Sequence, residues 1–167
     1  MIFKNLNKGL LINISLIFLI FFFDRISKIY VINLDKKFSG AEIFTSKFLN
    51  FNLIWNEGIA FGLFSFEEKY LYNIITIIIL IFILIIIFLF VTSKGFKKYS
   101  LLMILGGALG NIYDRITYQA VPDFIDLHVA NFHWFVFNVA DIFITLGVIF
   151  MILIEIIDKD KKKNEIY

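Results

Sequence analysis

The sequence predicts an all-α membrane protein of four transmembrane helices, with a small β element on the extracytoplasmic side. Three observations support this. Hydrophobic residues make up 60% of the 167-residue chain, and the mean hydropathy is +0.85, against about 45–50% apolar residues in a soluble domain. Four stretches approach the roughly 20 apolar residues that a helix needs to cross a hydrocarbon core about 30 Å thick. Nine of the fourteen lysines gather in three segments that four spans would place on one side, while four lie scattered over the longer segment 33–69 on the other. The length suits a single domain over residues 1–167. With no cysteine, disulfides, thiol chemistry and Cys-ligated metals are excluded.

The first span covers residues 10–32, with Asp24, Arg25 and Lys28 in its last third. Lys4 and Lys8 before an apolar run suggest a signal peptide, but no small-x-small site follows and Asp24 ends the run. An uncleaved first helix is expected. An outer segment, 33–69, contains FLNFNLIW from Phe48 to Trp55. Asn50 and Asn52 alternate there with apolar residues, which predicts a short strand. NEGIAFG follows, with Asn56, Gly58 and Gly62 as turn and close-approach signals.

The second span, 70–92, carries no charge. The third, 99–117, is the least apolar and ends in Asp114-Arg115. It contains Gly106-x-x-x-Gly110, a spacing that lets membrane helices approach closely, followed by Asn111. A second outer segment, 118–136, leads to the fourth span, 137–157, with Asp141 near its start and Glu155 near its end. The lysines from Lys159 to Lys163 are expected in a frayed, solvated tail. Lys4, Lys8, the Lys94–Lys98 group and this tail would share one side, which the positive-inside rule makes cytoplasmic, with both termini.

Charge within a membrane costs about 3 kcal/mol or more, so such residues need a partner or a task. At 1.5 Å per residue, Asp24 lies roughly 21 Å beyond Leu10, and Asp114 about 22 Å beyond Tyr99. Both fall near the outer face. Asp141 is about one turn inside the outer start of its helix, and Asp123 and Asp126 follow the third span directly. Five acids from three segments converge on one level.

Each also has a structural reading. Asp24 and Lys28 form an i,i+4 pair, and Arg25 is expected to snorkel to the headgroups. Asp114-Arg115 fits a wet helix end, and Asp123 a loop acid. Asp141, three residues after an Asn138 N-cap, fits a capping-box acid. His128 and His133, five apart, would not share a helical face, so no metal is expected. Ser27 and Lys28 are adjacent and would diverge on a helix. A proton-coupled transporter would show repeats and midplane acids. An assembly subunit would explain the glycines but not the converging acids.

Taken together, the motifs resemble those of the lipoprotein signal peptidase (signal peptidase II) family. DRISK (Asp24–Lys28) is similar to D-x-x-[ST]-K, and NEGIAFG (Asn56–Gly62) to N-x-G-A-A-[FW]-G. GGALGNIYDR (Gly106–Arg115) fits G-G-x-x-G-N-x-x-D-R. VPDFID (Val121–Asp126) resembles V-V-D-F-[IL]-x, and FNVAD (Phe137–Asp141) fits F-N-x-A-D. Ile59, Glu57 and Pro122 depart from the usual pattern.

The resemblance implies an aspartic endopeptidase of the bacterial cytoplasmic (inner) membrane with an extracytoplasmic β-cradle. It would cut diacylglyceryl-modified prolipoproteins before the lipidated Cys, near the outer face. It implies a catalytic pair at Asp123 and Asp141 and inhibition by globomycin-type peptides. No cofactor, metal or nucleic acid is implied. Asn56, Gly58, Asn111 and Asn138 are expected to bind substrate or the pair, with Asp24, Lys28, Arg115 and Asp114 in support. Asp114 is the rival for the first catalytic position. Asp123 is preferred, because an Arg-paired acid is poorly suited to holding a shared proton.

Overall fold

The computed structural model describes residues 8–40, 43–58, 69–130 and 132–164. Ile59 and Gly62 of the NEGIAFG motif lie outside them. Among the described residues there are four helices: α1 (Lys8–Phe38), α2 (Lys69–Thr92), α3 (Phe96–Tyr118) and α4 (Val139–Asn164). The described residues also form four strands: β1 (Phe44–Thr45), β2 (Leu49–Asn56), β3 (Val121–Val129) and β4 (Phe132–Phe137).

Among the described residues, three helical stretches are long and apolar enough to cross a membrane: α1, Tyr72–Thr92 of α2 and Val139–Lys159 of α4. Their large apolar side chains point outward, as Phe18, Phe82, Phe88 and Ile152 do. Such a surface suits hydrocarbon rather than water. The third expected span is α3, which is helical but less apolar. It packs against α1, α2 and α4, most extensively against α4. Its neighbours cover much of it, and Leu101, Leu102, Ile104, Leu105 and Ile112 are buried.

The glycines of α3 make that packing close. A Cβ on Gly106 would meet the Ile20 side chain of α1. One on Gly107 would stand 2.5 Å from the Ala140 carbonyl oxygen of α4, where the obstacle is backbone and cannot turn aside. Gly107→Ala is expected to cost about 1–3 kcal/mol, as overpacking does. Unfolding of the purified protein in detergent would show it.

The strands form one antiparallel sheet in the order β1-β2-β3-β4. β2 coincides with the strand expected from the Asn50/Asn52 alternation. The second segment expected outside, 118–136, supplies β3 and most of β4, so both of these segments build one sheet, a larger β element than the sequence announces. Ile54 pairs with Asp123 and Asn56 with Val121, past an irregularity between Phe51 and Ile54. This register brings the end of β2 beside the start of β3. At the C-terminus, α4 remains helical to Asn164, through lysines expected in a frayed tail.

Candidate active site

The site begins at the start of α4. Asn138 Oδ1 accepts the Asp141 backbone N–H at 3.1 Å, and Asp141 Oδ2 accepts the Asn138 N–H at 3.1 Å. This reciprocal arrangement is a capping box. It leaves Asp141 Oδ1 toward α3, where it accepts from Asn111 Nδ2 at 2.8 Å. The Asn138 side chain also donates to Asp123 Oδ1 at 2.6 Å. One asparagine therefore touches both acids.

The sheet fixes the other side of Asp123. Asn56, at the end of β2, donates to Asp123 Oδ2 at 2.8 Å. Its own Oδ1 accepts the Gly58 N–H at 2.9 Å, which anchors the chain leaving β2. Asp123 and Asp141 are 3% and 5% exposed, and both line a cavity of about 200 Å³. Asn56, Asn111, Asn138 and Arg115 share its wall with apolar Ile79 and Ile144. Burial, and then the charge of Asp141, push the Asp123 carboxyl up to about 7, against the amide donors Asn56 and Asn138.

Asp24, Lys28 and Asp114 do not line this cavity. Their side chains are wholly buried in a separate cluster with Arg25. Arg25 Nη1 meets Asp114 at 2.5 Å and Nη2 meets Asp24 at 2.8 Å. Lys28 Nζ lies 2.7 Å from Asp114 and 3.0 Å from Asp24. The expectation that Arg25 snorkels is thus corrected: it shares the inward face of α1 with Asp24 and Lys28. Arg115, expected in this network, is not in it. It donates to the Gly58 carbonyl oxygen and lies over the Tyr72 ring at 5.4 Å. Among the described residues its Nη1 is a buried donor with no partner.

Two bonds join the cluster to the site. Asp24 Oδ1 accepts the Ala140 N–H at 3.0 Å, in the first turn of α4. Lys28 donates to Asn111 Oδ1 at 2.8 Å, which turns the amide nitrogen of Asn111 toward Asp141. Ser27 instead donates to the Asp24 carbonyl oxygen at 2.8 Å. His128 and His133 are cross-strand partners on the β3–β4 hairpin. Helical spacing would separate them, but the hairpin sets them face to face.

A family model described as Signal peptidase (SPase) II matches residues 16–157. The lipoprotein signal peptidase of Pelagibacter ubique (strain HTCC1062) is 51% identical over 95% of both chains. That of Anaplasma marginale (strain Florida) is 40% identical over 89% of this chain and 86% of its own. A bacterial membrane enzyme solved by the in meso method at 2.3 Å superposes with a TM-score of 0.72 at 29% identity, covering 90% of each chain. With a family match over most of its length and relatives at this identity, the chain belongs to the signal peptidase II family of lipoprotein-processing proteases.

Proposed function

We propose that this protein is an aspartic endopeptidase that removes signal peptides from diacylglyceryl-modified prolipoproteins, cutting before the lipidated Cys. The observation that carries this reading is Asp123 and Asp141, from two different elements, held by Asn138 at one buried cavity. Two carboxylates at close quarters cannot both ionise cheaply, so the pair retains one proton. Asp123 keeps it up to about pH 7. Asp141, on the positive end of the α4 dipole, acts as the base.

Asp141 takes a proton from water as the water oxygen attacks the scissile carbonyl carbon. Asp123 gives its proton to the carbonyl oxygen in the same step. Collapse of the resulting gem-diol breaks the C–N bond: the proton held by Asp141 goes to the leaving amine, and Asp123 takes back the proton of the hydroxyl that becomes the new carbonyl, which restores the pair. Asn56 and Asn111 fix the two carboxyl groups, and Arg115 Nη1 is a donor for a substrate carbonyl. This chemistry needs only water and two acids, so no metal or cofactor is assigned to it.

The wider placement belongs to the same proposal. α3 forms the third of four spans, the chain is one membrane domain, and both termini are cytoplasmic. The sheet then lies outside the cytoplasmic membrane, with the site near the outer face, where a lipid-anchored Cys presents its scissile bond. Ile79 of α2 and Ile144 of α4 give the cavity an apolar side for a signal helix. Globomycin-type peptides would occupy the same cavity.

Purified protein in detergent, offered lipidated and unlipidated prolipoprotein, tests this reading. Cleavage of the lipidated form alone supports it; well-folded protein that cleaves neither refutes it. Because Asp123 loses its proton as pH rises through about 7, kcat/KM is expected to fall on the alkaline side, by about tenfold per unit once the limb is established. A profile flat from pH 6 to 9 would contradict the shared proton.

A further inference from the structure

We propose that the β3–β4 hairpin carries a divalent transition-metal site made by Asp126, His128 and His133, separate from the catalytic pair. One donor atom from each of these residues lies within 4.8 Å of the other two. The hairpin register explains it: His128 pairs with His133, and an irregularity between Asp126 and His128 adjusts the two strands. The imidazole rings stack with centroids 4.9 Å apart. His133 Nδ1 lies 2.9 and 3.1 Å from the two Asp126 oxygens.

The three residues differ in a way that suits a ligand set. Asp126 is buried and receives a long bond, 3.4 Å, from Asn50 Nδ2. Ligating carboxylates are supported by such outer partners. His128 Nδ1 is buried and has no hydrogen-bond partner among the described residues. With its proton on Nε2, that nitrogen offers an unused lone pair. The His133 side chain is 54% exposed, which gives an ion a way in and lets the ring move. Tetrahedral donors about 2.0–2.1 Å from an ion stand roughly 3.4 Å apart. Closing the triad from separations of up to 4.8 Å therefore requires a contraction of at most about 1.4 Å, within reach of side-chain rotation.

Two imidazoles and one carboxylate select zinc, copper or nickel over calcium or magnesium, which prefer oxygen. Three protein ligands leave a position for water. By strand alternation, Asp126 and Asp123, three residues apart, face opposite sides of the sheet. A bound ion would clip β4 to the strand that carries Asp123 without entering the cavity.

The test uses full-length protein with a histidine-free affinity tag, stripped by chelator and titrated with Co²⁺, followed by Zn²⁺ competition. The expected result is one ion per chain, with visible cobalt absorption that Zn²⁺ removes. Loss of an outer partner typically weakens a metal site by about 10–100-fold, and loss of a ligand costs at least as much. His133→Ala and His128→Gln should each weaken binding by that factor, whereas Asp123→Asn should bind as wild type does. Zn²⁺ should raise the unfolding temperature of wild type and of neither histidine variant. No stoichiometric uptake by wild type at micromolar free metal, or uptake unchanged in both histidine variants, overturns the proposal and leaves only an Asp126–His133 hydrogen bond.

Discussion

Asp141→Asn is expected to reduce cleavage by about 10²–10⁴-fold, the contribution of a positioned acid or base, while the protein stays folded. The change is nearly isosteric. The carbonyl oxygen of the introduced amide can still accept the Asn138 N–H, so the cap on α4 is retained while the group that takes the proton from water is lost. Asp123→Asn should fall by a similar factor, and the double variant little further, because members of one catalytic unit are not additive. Cleavage measured beside a folding control decides the matter. An Asp123→Asn protein that cleaves normally, with a folded but inactive Asp114→Asn, would move the pair to Asp114.

Asp114→Asn is expected to damage the molecule differently, by destabilising it. Arg25 and Lys28 both rest on this carboxylate, at 2.5 and 2.7 Å, and the groups concerned are almost entirely buried. Breaking a buried ion pair by removing one partner costs about 3–5 kcal/mol, since the remaining charge is left without compensation. Two cations would then share Asp24 alone. The unfolding midpoint in detergent should drop steeply, while the folded fraction keeps cleavage within about tenfold of wild type. Midpoints equal to wild type would show that the cluster is not what holds α1 to α3.

The helices were legible in the sequence because runs such as Ile74–Phe90 have no alternative to hydrocarbon or a core. The convergence of acids was also legible, since helical rise converts sequence position into depth. Their division was not: Asp24 sits with Asp114, Asp123 with Asp141, and Asp126 apart from both beside His133. Rise places Asp24, Asp114, Asp123 and Asp141 at one level, but rotation about each helix decides which side chains meet. That rotation brings Arg25 into the cluster and keeps Arg115 out of it.

The β3–β4 hairpin was hidden for a different reason. VPDFIDLHV is buried along most of its first half, so it lacks the polar alternation that revealed β2. Its turn passes through Ala130 at φ 53°, without the Asn-Gly or Asp-Gly signal that usually marks such a reversal. Without a sign of the hairpin, helical spacing is the only ruler for the two histidines, and it sets them apart.

The buried cluster also bears on how the molecule is assembled during synthesis. α1 contributes Asp24, Arg25 and Lys28 to it, one acid against two bases, and α3 supplies the second acid, Asp114. The cluster groups on a nascent α1 therefore carry one positive charge in excess. Helix α2, made next, brings none of the cluster's charged groups, so this imbalance persists until α3 is made. Neutrality, and with it a settled place for α1, belongs to a pair of helices separated in the order of translation. Insertion of the first helix is completed by the third.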